Sequence, residues 1–333
     1  MALRTTVVGS WSVPESARDE MARYYRGELP PSEADDVLNS AATEAIRQQR
    51  ELGLTEWTSG ELYTRGFVGH LPSRLAGLKK TRDAAALIVD YDDQEKWAIT
   101  GPLSAPEGLG HAANFRRESA LAGGVPKATV PGVLETAANV EPWPDIQAHI
   151  PELIGIVNSE LRALQAAGCQ NIQVDVPRVS CAVPMGWTSA DDAARLIAAP
   201  FQGITTTKSI HMCCGGLGGK PYSSVLRMEP WVDILERLDG VIDLAVLEFS
   251  YNGQWMEREA LKRVPKSIQI AAGIACTKSP PEPVDKLKQR AEELARIVGE
   301  DRLWLSPSCG LRGRSWEYLR DKVGNMVEAA QAV

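Results

Sequence analysis

The sequence contains few histidines and lacks the patterns that identify several common classes of protein. Its 333 residues include only four histidines, His70, His111, His149 and His211. No apolar run is long enough to cross a membrane, and the N-terminus lacks the apolar segment of a signal peptide. No basic patch accompanies the net charge of −7, which argues against a nucleic-acid partner. We therefore expect a cytoplasmic protein that binds neither membranes nor nucleic acid.

Nucleotide-binding signatures are missing as well. Neither the glycine-rich G-x-G-x-x-G fingerprint nor the Walker A pattern occurs, which disfavours a dinucleotide or a nucleoside triphosphate as the ligand. In a reducing cytosol the six cysteines are expected to be free thiols or metal ligands rather than disulfides. Because histidine is scarce, a histidine that stands beside a cysteine carries more weight.

Strand-like and helix-like segments alternate along the chain, most regularly after Trp143. This alternation predicts a parallel sheet, and eight such units fit a closed (β/α)8 TIM barrel better than an open sheet. The less regular stretch 62–124 is interpreted as a strand and helical segment inserted between strands 2 and 3. Residues 1–333 are expected to form a single (β/α)8 catalytic domain. The eight predicted strands begin near Thr5, Glu56, Lys127, Ile172, Thr205, Leu244, Ile268 and Leu303.

One short motif combines the two best zinc-ligand types. His211 and Cys213 are two residues apart at the end of a predicted strand, so their side chains point to the same face. Such a pair could form half of a zinc site. By itself the pattern is weak, because a cysteine in a strand is more often a small buried apolar residue.

Further polar residues stand at the ends of other predicted strands. In a TIM barrel these ends converge on one face, where catalytic groups lie. Each residue also has a simpler explanation: a carboxylate can cap a helix or pair with a base, and a cysteine can fill the core. Chance convergence of all of them is less plausible. The set comprises Ser10, Glu61, Asp175, His211, Cys213, Glu248 and Cys309.

Four members of this set suit a tetrahedral Zn²⁺. His211, Cys213, Glu248 and Cys309 offer one nitrogen, two thiolates and one carboxylate oxygen. With two thiolates and one carboxylate, such a site has a net charge of −1. An electron-rich zinc would deprotonate a bound substrate thiol yet leave it nucleophilic, which favours sulfur alkylation over hydrolysis.

The same residues resemble the zinc motifs of the cobalamin-independent methionine synthase family. The similarity rests on His211-Met212-Cys213, on Glu248 and on the segment Trp304-x-x-Pro307-x-Cys309-Gly310-Leu311. It is to the family's C-terminal catalytic barrel and extends over nearly the whole chain. Gly60-Glu61 and Asp175-x-Pro177 also resemble its amino-acid-binding positions.

The resemblance implies a zinc-dependent methyltransferase that converts homocysteine to methionine. It implies that the four residues named above bind zinc. It further implies that Glu61 and Asp175 hold the amino group of homocysteine, and that the backbone near Ser10 contacts the amino acid. Two carboxylates facing an ammonium would fix the thiol over the metal.

The chain also departs from the family pattern. Lys278 occupies the position of a family histidine thought to aid proton transfer, and we assign it a catalytic role as a cation for an acidic group of the substrate or donor. A solvated loop lysine is the alternative. The family's pterin-stacking tryptophan is replaced near Ala137 and Ala138. We therefore expect a single-barrel form whose methyl donor is not folylpolyglutamate; a methylated corrinoid protein is one candidate.

Functions of two other kinds stay open at the level of sequence. One is alkyl transfer to a different thiol, as in epoxyalkane:coenzyme M transferase, where Lys278 or Arg312 would bind the sulfonate. The other is a metal-free barrel of the uroporphyrinogen decarboxylase type, or a zinc-stabilised binding protein without catalysis.

Overall fold

Nine strands and twelve helices are defined in the computed structural model, which describes residues 2–64, 67, 70–83, 95–124, 126–215 and 224–333. The strands are β1 (Arg4–Thr5), β2 (Ala76–Arg82), β3 (Lys96–Ser104), β4 (Ala128–Pro131), β5 (Asn171–Asp175), β6 (Thr207–Met212), β7 (Leu244–Glu248), β8 (Gln269–Ala275) and β9 (Leu303–Pro307). The helices are α1 (Arg18–Tyr25), α2 (Pro31–Glu51), α3 (His111–Ala122), α4 (Val133–Thr136), α5 (Trp143–Ala148), α6 (Ile150–Ala166), α7 (Pro177–Ala182), α8 (Ala190–Ala198), α9 (Glu229–Glu236), α10 (Asn252–Met256), α11 (Val284–Val298) and α12 (Trp316–Gln331).

Seven strands form one parallel sheet in the order β1-β9-β8-β7-β6-β5-β4. Every residue of β5, β7 and β9 is buried, as expected for a parallel sheet that is covered on both faces. Helices supply the outer cover; in α6, for example, buried apolar residues recur at helical spacing from Leu153 to Leu164. None of the described helices is long and apolar enough to cross a membrane.

The eighth position of the ring is occupied by a segment that is not a regular strand. The Glu56 amide donates to the Thr5 carbonyl at 3.0 Å, and the Lys127 amide donates to the Trp57 carbonyl at 3.0 Å. Residues 56–57 therefore connect the two edges of the sheet. The predicted (β/α)8 fold is confirmed, but the prediction of a regular strand from Glu56 to Glu61 is wrong. Gly60 and Glu61 both have positive φ, which ends the extended conformation.

Between the second and third barrel units, the described residues form an antiparallel pair of strands and a helix. β2 pairs antiparallel with β3, and α3 follows before β4 begins. The predicted inserted strand corresponds to β3. β2 was not predicted, because its Lys79, Lys80 and Arg82 give it no apolar alternation.

A column of polar side chains occupies part of the inside of the ring. The Lys127 ammonium is fully buried; it donates to Thr6 Oγ1 at 3.0 Å, to Gln173 Oε1 at 2.8 Å and to the Val7 carbonyl. Glu56 lies 3.8 Å from it and accepts from Thr6 and from Asn171. These bonds satisfy groups whose burial would otherwise be costly.

We expect Lys127→Met to lower the free energy of unfolding by about 3 kcal/mol, because the buried acceptors around the ammonium would lose their donor. The matched control is Lys262→Met, since this lysine is exposed in a surface pair with Glu259. It should change stability by less than about 0.5 kcal/mol. Urea unfolding of both variants measures the difference; equal effects would contradict a structural role for the column.

Candidate metal centre

Three of the predicted ligands come together at one end of the ring. His211 lies in β6, Cys213 directly follows it, and Cys309 follows β9. Their potential ligand atoms all lie within 4.8 Å of one another, and the two sulfur atoms are 3.9 Å apart. All strands of a parallel barrel end at the same face, which explains how residues on β6 and β9, almost a hundred positions apart, meet here.

The orientation of His211 fits metal binding. Its Nδ1 lies 3.1 Å from the Val246 carbonyl, which can only accept, so Nδ1 carries the proton. Its Nε2 is buried and has no hydrogen-bond partner among the described residues. A backbone acceptor on one ring nitrogen commonly fixes a histidine ligand with the other nitrogen facing the metal. The unpartnered nitrogen is thus the atom that would bind an ion.

The two cysteines are electrostatically unequal. Their mutual hydrogen bond holds the pKa of Cys309 well below its usual value and raises that of Cys213. Burial also raises the pKa of Cys213. A thiolate is the form of cysteine that binds metals, so the lowered pKa of Cys309 favours metal binding. One imidazole nitrogen and two sulfurs form a donor set that suits Zn²⁺.

Glu248, the fourth predicted ligand, is placed differently. It ends β7 and is fully buried, but it does not belong to the three-residue cluster. Its Oε2 accepts from the Cys214 amide at 2.8 Å, and its Oε1 forms an ion pair with Lys278. The structure therefore brings together three predicted ligands, while zinc binding by Glu248 stays a prediction.

Lys278 is enclosed in this region rather than solvated. Its side chain is 14% exposed, and its Nζ lies 5.2 Å from the centre of the Tyr251 ring. Burial alone would lower the pKa of Lys278, but the nearby Glu248, Cys309 and Tyr251 together outweigh burial and raise that pKa. The ammonium thus stays charged and neutralises a carboxylate that would otherwise be buried without a partner.

Glu61 and Asp175 provide two carboxyl groups near the cluster. Glu61 Oε1 accepts from Thr129 Oγ1 at 2.8 Å, and Asp175 Oδ1 accepts from Gln173 Nε2 at 2.6 Å. Burial raises the pKa of Asp175 to about 7; the His211 charge opposes this rise, and the Glu61 charge adds to it. Burial also raises the pKa of Glu61. A ligand that carries a positive charge would relieve the repulsion between them.

Ser10 packs against the segment that carries Cys309. Its carbonyl accepts from the Leu311 amide at 2.9 Å. A Cβ atom at Gly310 would collide with Ser10 Oγ, and one at Gly9 would collide with Glu61 Oε1. These glycines allow the three segments to approach closely, so Ser10 lies between the candidate metal ligand and a candidate substrate carboxylate.

One residue of the site region was missed at the level of sequence. Glu118 of α3 is buried beside a cleft that is also lined by Glu61, Thr129 and His111. Burial raises the pKa of Glu118 to about 7. A signal was present, because the buried residues of α3 recur at Ala112, Phe115, Glu118 and Ala122, which places a carboxyl group on the apolar face of the helix.

Comparison with known proteins adds independent evidence. Residues 3–332 match the family described as "Cobalamin-independent synthase, Catalytic domain". Two curated relatives are named 5-methyltetrahydropteroyltriglutamate–homocysteine methyltransferase. The protein from Thermotoga petrophila is 25% identical over 98% of this chain and 44% of its own length. The protein from Bradyrhizobium diazoefficiens is 26% identical over 99% of this chain and 42% of its own length. The chain thus spans less than half the length of these relatives.

Solved structures share the fold over the whole chain. A B12-independent methionine synthase from Shewanella sp. W3-18-1, in complex with selenomethionine, superposes with a TM-score of 0.82 at 18% identity and covers 100% of this chain and 98% of its own. A putative vitamin-B12 independent methionine synthase from Listeria monocytogenes gives 0.72 at 22% identity, with 98% and 96% covered. At these identities the likeness supports the barrel fold and nothing finer.

We expect Cys213→Ser and Cys309→Ser to reduce zinc affinity more than the roughly 10–100-fold typical of residues that only support a ligand. Cys276→Ser is the matched control, because this thiol lies outside the cluster. Competition with a chromogenic chelator measures the affinity, and elemental analysis measures the zinc content. Unchanged affinity in both cluster variants would rule out this centre.

Proposed function

Because the chain belongs to the cobalamin-independent synthase catalytic-domain family, we propose that it transfers a methyl group to the thiol of homocysteine and forms methionine. The observation that carries the proposal is one juxtaposition. A histidine and two cysteines with converging ligand atoms lie at the same end of the ring as the carboxyl groups of Glu61 and Asp175. This arrangement offers a site for sulfur next to a site for an ammonium.

The metal in this proposal is Zn²⁺, held by His211, Cys213 and Cys309, with Glu248 as the fourth ligand. When bound, it would lower the pKa of a substrate thiol and keep the sulfur nucleophilic. The protein's own contribution is to hold the donor atoms in place. His211 is oriented by the Val246 carbonyl, and Cys309 is favoured as a thiolate by its neighbours. Glu248, which contacts Lys278 and the Cys214 amide, would have to move closer to the other three residues to join the set.

Glu61 and Asp175 bind the amino group of homocysteine in this proposal, and the backbone at Ser10 contacts the amino acid. Thr129 donates a hydrogen bond to the Glu61 carboxylate, and Gln173 donates one to the Asp175 carboxylate. These bonds restrict where each carboxylate can lie. Fixing the ammonium fixes the direction of the carbon chain and thus the position of the sulfur. Such positioning reduces the entropic cost of reaction.

Lys278 acts through Glu248 in this proposal. Its charge stabilises the buried carboxylate in the position that it has beside the cysteine segment. A change in this ion pair would accompany any movement of Glu248 towards the metal. Lys278 thereby influences the ligand set without contacting the substrate.

The donor and the extent of the active unit are further parts of the proposal. The curated relatives are named for a methylfolate donor. We propose a donor other than folylpolyglutamate, such as a methylated corrinoid protein, because Lys278, Ala137 and Ala138 replace family residues on that side of the site. We also propose that residues 1–333 act as a single catalytic domain.

Alkyl transfer to coenzyme M is not favoured. That alternative requires cations that bind a sulfonate, and the candidates are Lys278 and Arg312. In the structure Lys278 is paired with Glu248, and Arg312 donates to the Glu61 carbonyl. The relatives are named for homocysteine instead.

The function is tested by adding homocysteine to the zinc-loaded protein and following the zinc-edge X-ray absorption. We expect a new sulfur neighbour of the metal, and methionine once a methylated corrinoid protein is supplied. Glu61→Gln and Asp175→Asn should each weaken homocysteine binding by about tenfold or more, since each removes a charge-assisted bond.

The matched ligand is 4-mercaptobutyrate, which keeps the thiol and the carboxylate of homocysteine but lacks its amino group. Its affinity should be unaltered in both variants, because neither carboxyl group would contact it. Wild-type protein that binds the two thiols equally would refute amino-group recognition, and a metal that gains no sulfur neighbour would refute the proposed function.

The preference for homocysteine over 4-mercaptobutyrate should decrease as the pH falls from about 8 to about 6. The pKa of Asp175 is raised to about 7, so below this pH the group becomes protonated and no longer attracts an ammonium. Using the ratio of the two affinities cancels the ionisation of the thiol, which both ligands share. Isothermal titration calorimetry measures the ratio of the two affinities. A ratio that increases on acidification would contradict the role of Asp175 in binding the ammonium.

A further inference from the structure

The Glu61 backbone is strained. Its φ is +58°, and it is the one non-glycine residue with positive φ in the described part of the chain. A residue with a side chain in this conformation costs about 1–3 kcal/mol and persists only when its surroundings hold it. Gly60 precedes it at φ +82°, where a Cβ would lie 2.7 Å from the Trp11 Cβ. The position of the Glu61 carboxylate therefore depends on contacts that maintain this turn.

Those contacts converge on the Glu61 carbonyl. Arg312 donates to it from Nη2 at 2.9 Å. Thr64 donates to the same oxygen from its hydroxyl at 2.9 Å and from its amide at 3.3 Å. The guanidinium bond is the one that comes from a distant part of the sequence, and it is charge-assisted. It therefore joins the turn to another segment of the barrel.

That other segment carries the metal ligand Cys309. Arg312 is three residues further along, and the backbone between them is itself fixed to the first segment of the ring. The Leu311 amide donates to the Ser10 carbonyl at 2.9 Å, and Ser12 Oγ donates to the Leu311 carbonyl at 2.8 Å. A short covalent path and one side-chain hydrogen bond thus connect a sulfur ligand to a substrate carboxylate.

We propose that Arg312 is a positioning residue that fixes the Glu61 carboxylate relative to the metal centre and thereby selects thiols by the spacing of sulfur and ammonium. The inference rests on the proposed function. Homocysteine has two carbon atoms between its amino-bearing carbon and its sulfur atom, whereas cysteine has one. A rigid connection between the two binding points discriminates between these lengths, because only one length reaches both points without displacement of Glu61.

The geometry also separates Arg312 from its neighbour Arg314. Arg314 donates to the Thr277 carbonyl at 2.6 Å and lies over the Tyr318 ring at 5.2 Å. Both arginines therefore donate to a backbone carbonyl from the same segment, but only the Arg312 contact reaches the Glu61 turn. This makes Arg314→Met a matched control for the loss of a guanidinium.

The test compares wild type, Arg312→Met, Arg312→Lys and Arg314→Met in their zinc-loaded forms. Binding of homocysteine, cysteine and 4-mercaptobutyrate is measured by calorimetry, and zinc content is measured in each protein. We expect Arg312→Met to bind homocysteine about tenfold more weakly while its zinc content and its affinity for 4-mercaptobutyrate stay unchanged. Its preference for homocysteine over cysteine should decrease, and Arg312→Lys should recover part of it.

The outcomes distinguish a failure of the proposed function from a failure of the positioning role of Arg312. A wild-type protein that does not prefer homocysteine to 4-mercaptobutyrate contradicts the amino-group recognition in the proposed function. If wild type shows the preference and Arg312→Met retains it, the positioning role is wrong. Equal weakening of all three thiols, or the same loss of selectivity in Arg314→Met, would also overturn it, because either result indicates general damage to the site.

Discussion

The site depends on two hydrogen bonds that join residues 56–57 to both edges of the parallel sheet. They close the sheet between β1 and β4, so that Glu61 lies at the same end of the ring as Cys309. The bridging segment leaves the extended conformation immediately afterwards, at Gly60 and Glu61. Ring closure and the strained turn are therefore consecutive in the chain, and the first supports the second.

Inside the ring, the polar column extends from the closing segment to the site. Lys127 contacts Gln173, and Gln173 donates to Asp175. The interior network thus fixes the Asp175 carboxylate, a candidate substrate-binding group, through Gln173. Arg312 fixes the Glu61 turn through the Glu61 carbonyl. Buried networks of this kind make a core more rigid when their polar groups are satisfied.

Much of the architecture could be predicted from the sequence because the buried strands are apolar and end in polar residues. Three of the four residues that the sequence predicts as zinc ligands come together in the structure, and their convergence follows from the parallel topology. The irregular conformation at Glu56–Glu61 could not be predicted, because it depends on contacts with Trp11 and Arg312 that are remote in sequence. The Glu248–Lys278 ion pair was missed for the same reason, although both residues were selected individually.

The partner that orients His211 is a backbone carbonyl, that of Val246 in the neighbouring strand. Natural substitutions change side chains and leave this oxygen in place, so the orientation of the imidazole is buffered against sequence drift at position 246. The orientation of His211 depends instead on the pairing of β6 with β7. Descendants of this protein could therefore replace the substrate-facing residues around the centre and acquire new chemistry while the direction of the histidine nitrogen is inherited with the fold.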